Sequence, residues 1–150
     1  MLERAYTNAC MSVATGPTSD QWASDIMAYL DLFEGWSDTE TFEPKAIIYS
    51  EDDPADSLFV ILDGEVDLSY HGDSLGVERR GGLIGEMAVL DTAERGATAT
   101  ALTPVRAARL SRTQFKECID RNSDFAFHAM ATLANRLRAA DRFIRKKTES

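Results

Sequence analysis

Gly82-Leu83-Ile84-Gly85-Glu86-Met87-Ala88-Val89, followed after a short spacer by Arg95-Gly96-Ala97-Thr98, is the stretch on which the reading of this chain turns. Gly85 lets the backbone approach a ligand closely and take angles that a side chain forbids. Residues 86–90 suit a helical turn whose free N–H groups point outward, an anion site. Glu86 repels a phosphate but accepts a hydrogen bond from a sugar hydroxyl. Arg95, nine positions on, neutralises an anion through a charge-assisted contact that can be bidentate. Such a set asks for a ligand that carries an anion and a hydroxyl a few ångströms apart, and a nucleotide meets that description.

Gly85-Glu86-Met87-Ala88 and Arg95-Gly96-Ala97-Thr98 resemble the phosphate-binding cassette of the cyclic nucleotide-binding domain family. That family includes catabolite-activator-type regulators and regulatory subunits of cyclic-AMP-dependent protein kinase. A second signature stands upstream, Asp52-Asp53-Pro54-Ala55-Asp56-Ser57-Leu58-Phe59-Val60-Ile61-Leu62-Asp63-Gly64-Glu65-Val66. The resemblance runs from about Phe42 to about Ile144. Two motifs in the family's order and spacing are far more specific than a lone G-E-x-A.

The resemblance implies a β-roll with a nucleotide pocket between strands. It also implies ligand contacts from Ile84, Gly85, Glu86, Met87, Ala88, Arg95, Gly96 and Ala97, with Glu86 on the ribose 2′-hydroxyl and Arg95 on the cyclic phosphate. Cyclic-GMP-selective relatives tend to carry Thr after the arginine; Gly96 has no hydroxyl, which favours cyclic AMP and leaves cyclic GMP as the second candidate. Catabolite-activator-type members bond adenine with a Thr-Ser pair where Ala140-Asp141 stands here. Arg138 or Phe143 is therefore expected to cover the base by stacking. Each residue also has a plainer reading. Glu86 suits a helix N-terminus for dipole reasons alone, Arg95 suits a surface salt bridge with Glu94 or Asp91, Arg138 suits solvent, and Phe143 suits packing.

The chain has 150 residues, the size of a single domain with a real core. Its net charge of −9 argues against a protein that coats nucleic acid and requires that a phosphate be held by local charge. Cys10 and Cys118 are far apart and in no metal-like spacing, which suits reduced, unpaired thiols. No 18-residue apolar run and no signal-peptide block occur, so a cytoplasmic protein without a membrane span is expected.

Residues 1–18, ending in Gly16-Pro17-Thr18, read as a flexible N-terminal lead to a domain over 19–150. Ser19 or Asp20 is placed to cap a helix carrying Trp22, Ile26, Tyr29, Leu30 and Phe33 on one face. From Phe42 the texture becomes β-rich: Ala46–Tyr49, Leu58–Leu62, Val66–Tyr70, Leu75–Glu78, Ala97–Leu102 and Val105–Leu110. Val66, Leu68 and Tyr70 alternate with Asp67 and Ser69, the period of a half-buried strand. Asp63-Gly64 and His71-Gly72-Asp73 are hairpin signals. The expected fold is mainly β with flanking helices, a β-roll or jelly roll with an N-terminal helix and a C-terminal helix pair. Ser111-Arg112-Thr113-Gln114 is a capping box for a helix to about Asp120, and Ser123 is placed to cap a longer one from Asp124 to about Lys146.

On that last helix Met130, Leu133, Leu137, Ala140 and Ile144 step by 3 and 4, a heptad seam. Two readings stay open for it, packing onto the chain's own roll and a homodimer through residues 124–146; the resemblance favours the dimer. The basic run Arg142, Arg145, Lys146 and Lys147 reads as a solvated helix end. No helix-turn-helix follows before Ser150, so no DNA-binding domain is expected.

The leading function is a non-enzymatic cyclic-nucleotide sensor without a cofactor, signalling to a protein partner as the last helix closes over the ligand. The alternative is an interaction module that keeps the fold without binding nucleotide; Gly96, Ala140-Asp141 and Ser50 favour it. A cupin-type metalloenzyme needs clustered histidine and carboxylate ligands, and only His71 and His128 are present. Haem sensing has the same thin support.

Overall fold

The structure, a computed structural model, describes residues 29–92 and 94–149, with the side chains of Thr92, Phe143 and Glu149 outside that description. The expected lead over 1–18 and most of the N-terminal helix, including Trp22 and Ile26, lie outside the described residues. Within them stand a 3-10 turn (Asp31–Phe33) and strands β1 (Thr39–Phe42), β2 (Ile47–Tyr49), β3 (Ser57–Asp63), β4 (Val66–Tyr70), β5 (Asp73–Glu78), β6 (Leu83–Ile84), β7 (Thr98–Ala101) and β8 (Val105–Ser111). Helices α1 (Arg112–Arg121) and α2 (Ser123–Glu149) follow.

All strand pairings are antiparallel, in two four-stranded sheets ordered β1-β8-β3-β6 and β2-β7-β4-β5. β3 explains why the chain needs both sheets and the helices. It is buried from Ser57 through Leu62, on both faces at once. Leu58, Val60 and Leu62 point to a core shared with Tyr29, Phe33, Phe115 and Phe125, so helical residues cover that side. Phe59 and Ile61 point the other way, to a core shared with Val66, Leu68, Ala99 and Ala101 of the opposing sheet. Each such side chain contributes roughly 1.5–3 kcal/mol of burial, and the strict alternation makes a one-residue slip costly.

The turns obey the local chemistry. His71 and Gly72 both have positive φ (50° and 84°), which a two-residue type I′ hairpin between β4 and β5 requires. Gly64 (φ 100°) turns β3 into β4 where a Cβ would collide with the carbonyl of Pro104. Ser111 caps α1 in the expected box: the Gln114 N–H donates to its Oγ (3.2 Å), and its own N–H donates to Gln114 Oε1 (2.9 Å).

Three expectations change. β1 and β6 are additional strands. β1 (Thr-Glu-Thr-Phe) is a polar, half-exposed edge strand, and β6 has two residues, so neither shows a periodic signal. The cap of α2 is Asn122, whose Oδ1 accepts from the Phe125 N–H (3.0 Å), in place of Ser123. Among the described residues no helix is long and apolar enough to cross a membrane, and no cluster of three potential metal ligands occurs.

Candidate functional site

β6 delivers the chain to Gly85, whose φ of 80° only glycine adopts freely and whose missing Cβ leaves room for Arg95 Nη1. Glu86 and Met87 are helical and run into a π-helical turn (Ala88–Thr92). Arg95 is then clamped to the acidic loop by its backbone. Its N–H donates to the Asp53 carbonyl (2.8 Å), its carbonyl accepts from the Asp52 N–H (2.7 Å), and Glu94 bridges to Pro54. The second sequence signature is therefore the scaffold of the first.

Arg95 is 6% exposed. Its Nη1 donates to the Ser57 carbonyl (2.6 Å) and more weakly to that of Gly85 (3.4 Å), while the guanidinium carbon stands 4.2 Å from the centre of the Tyr49 ring. Burial lowers its pKa, opposed by Tyr49, Asp56 and Asp53 and helped by Arg109. Glu86 is 3% exposed, and burial raises its pKa against the pull of a second arginine, Arg136. Arg136 comes from α2. Its Nε lies 3.4 Å from Glu86 Oε1, its Nη1 donates to Glu78 Oε1 (2.7 Å), and its Nη2 donates to the Leu83 carbonyl (2.9 Å). Burial works against the Arg136 charge, but Glu86 and Glu78 outweigh it and raise its pKa.

A cavity of about 650 Å³ opens between the cassette, β4, β5 and α2. Pockets for small ligands span roughly 300–1,000 Å³. Gly85, Glu86, Met87, Ala88, Arg95, Gly96 and Ala97 all line it. Ile84 does not: its side chain is fully buried in the core between the sheets. Arg138 does not either. It is exposed on α2, and Arg136, two positions earlier and about 200° away around the helix, stands in the cavity wall. The side chain of Phe143 lies outside the described residues.

The sequence model of the cyclic nucleotide-binding domain family matches residues 39–122, which span the sheets, the cassette and α1. The chain belongs to this family. Its relatives include the cGMP-dependent protein kinase egl-4 of Caenorhabditis briggsae, 39% identical over 69 residues, 46% of this chain and 9% of that one. The cAMP-dependent protein kinase regulatory subunit of Colletotrichum orbiculare is 34% identical over 85 residues, 55% of this chain and 22% of that one. Among solved structures, the Thermus thermophilus catabolite activator protein superposes with a TM-score of 0.64 at 28% identity, covering 80% of this chain and 59% of that one. The two-sheet architecture with C-terminal helices is thus the β-roll of the family. The chain spans less than a quarter of the length of both curated relatives.

Within this cyclic nucleotide-binding domain, Arg136 is the residue that sequence reasoning missed. A helical face through Leu133, Arg136 and Ala140 contains it, spaced 3 and 4 as the heptad seam is. Read as a seam neighbour, it looks the same as Arg138. What singles it out is the pair of carboxylates opposite, Glu78 and Glu86, which are 58 and 50 residues away in sequence and meet it only in the fold.

Proposed function

We propose that this domain is a non-catalytic sensor that binds a cyclic nucleotide in the cavity, with cyclic AMP as the favoured ligand and cyclic GMP as the second. One observation carries the reading: a buried arginine and a buried glutamate, nine residues apart, line one cavity of mononucleotide scale. Arg95 is a desolvated cation held chiefly by carbonyl dipoles and a ring face, and an incoming phosphate relieves that cost. Glu86 accepts from the ribose hydroxyl, and Gly85, Met87, Ala88, Gly96 and Ala97 supply close backbone approach. Calorimetric titration tests it: Arg95→Ala should weaken cyclic AMP binding by at least about 30-fold, the scale of truncating one partner of a buried charge contact. Equal affinity of the variant and the parent would refute the assignment.

Signalling follows from Arg136. The same guanidinium holds Glu86 of the cassette, Glu78 of β5 and the Leu83 carbonyl of β6, so a ligand that engages Glu86 changes the anchorage of α2. We read α2 as the element that closes over the ligand and, through its exposed Phe127, Met130, Leu137 and Ile144, pairs with a second copy of the chain. A cytoplasmic setting and a downstream protein partner complete this reading. An interaction module that keeps the fold without nucleotide draws on one fact, that Glu86 already has Arg136 as an ion-pair partner. Failure of every cyclic nucleotide to bind would favour it.

A further inference from the structure

Away from the cassette the cavity changes character. Between the β4–β5 hairpin and α2 it is walled by Leu68, Leu75, Leu133, Leu137, Ala140 and Ile144, with Gly76 and Ala139 filling the gaps. Besides Arg136, which is already paired with Glu78 and Glu86, Tyr70 is the one side chain with a hydrogen-bonding group among the described residues lining this end; it is 39% exposed, and its ring stands edge-on against His71 at 4.1 Å. The other polar side chains of the wall are committed at the cassette end, Tyr49 to Arg95 and Glu86 to Arg136. Asp141, next to Ala140, is exposed and paired with Arg145 (3.2 Å).

Adenine and guanine differ in the pattern of donors and acceptors on their edges, and a protein separates them by matching that pattern. A site built to hydrogen-bond a group rejects an analogue lacking it by about 10⁴–10⁵, whereas an apolar pocket discriminates weakly between ligands of similar shape. We infer that this site is base-degenerate: it recognises the ribose and the cyclic phosphate, and holds the purine by apolar contact with β4, β5 and α2 whichever purine it is. The preference for cyclic AMP is then shallow. The ligand class is purine cyclic nucleotides as a group, and in the cell the more abundant one occupies the site. This inference rests on the cyclic-nucleotide reading of the cavity.

Calorimetric titration of the full chain with cyclic AMP, cyclic GMP and cyclic IMP separates the two claims. Dissociation constants within about tenfold of one another are expected. A gap wider than tenfold between any two would overturn base degeneracy while leaving the cyclic-nucleotide reading intact. Binding of none of the three would overturn that reading and this inference with it.

Discussion

Stability and the proposed ligand role pull Glu86 in opposite directions. Its carboxylate is buried, desolvation dominates its raised pKa, and Arg136 offsets only part of that cost. Burial thus disfavours the ionised form of Glu86, and an uncharged isostere in its place relieves that cost while Glu78 still pairs with Arg136. Glu86→Gln should leave the ligand-free melting temperature unchanged or raised, while cyclic AMP binding weakens by roughly 10–100-fold through loss of a hydrogen bond to a charged acceptor. Thermal unfolding and titration of the same variant check both halves; a destabilised variant with full affinity would show the residue to be structural only. Gly85 and Arg95 were legible in the sequence because their chemistry is local: a positive-φ turn, and an arginine at fixed spacing from a carboxylate. Arg136 was not, because nothing near it in sequence distinguishes it from Arg138.

α2 is the element that joins the cavity to the outside. One face packs Phe125, Ala129 and Thr132 inward, and a second presents Leu133, Arg136 and Leu137 to the cavity, with Leu137 at its rim and 73% exposed. The heptad steps were visible in the sequence, but a period of 3 and 4 does not say which face meets the roll; only the positions of β4, β5 and β6 decide that. The same limit explains the missed β1 and β6, whose register is fixed by β8 and β3 and not by their own residues. If α2 pairs with its copy, Leu137→Asp places a charge in the seam. Sedimentation should then show a dimer for the parent and a monomer for the variant, and two monomers, or two dimers, would remove α2 from the interface.

At the scale of the whole molecule, the Gly81 carbonyl is a meeting point of the N-terminal segment, the β5–β6 turn and α2. It accepts from the Tyr29 hydroxyl and lies 2.8 Å from His128 Nε2, and the two rings stack at 4.8 Å. Burial lowers the His128 pKa, opposed by the Gly81 hydrogen bond and by Glu78. The imidazole therefore takes up a proton more readily in the unfolded chain. Its effect on stability is nil above the unfolded value of 6.5, and stability falls as pH drops below that value towards the lower folded pKa. His128→Gln, which keeps a donor for Gly81, should flatten that part of the pH–stability curve; an unchanged slope would assign the loss to other groups. A net charge of −9 repels an anionic ligand at long range, so affinity has to come from Arg95 and its surroundings. The most direct test is thermal unfolding with and without cyclic AMP for the parent and Arg95→Ala, each compared with its own ligand-free state. At 100 times the dissociation constant the parent should gain about 2.7 kcal/mol, a rise of about 5–10 °C, and the variant should gain no more than about 0.9 kcal/mol at the same concentration. A parent that does not respond to millimolar cyclic AMP or cyclic GMP, or a variant that responds equally, would contradict the account.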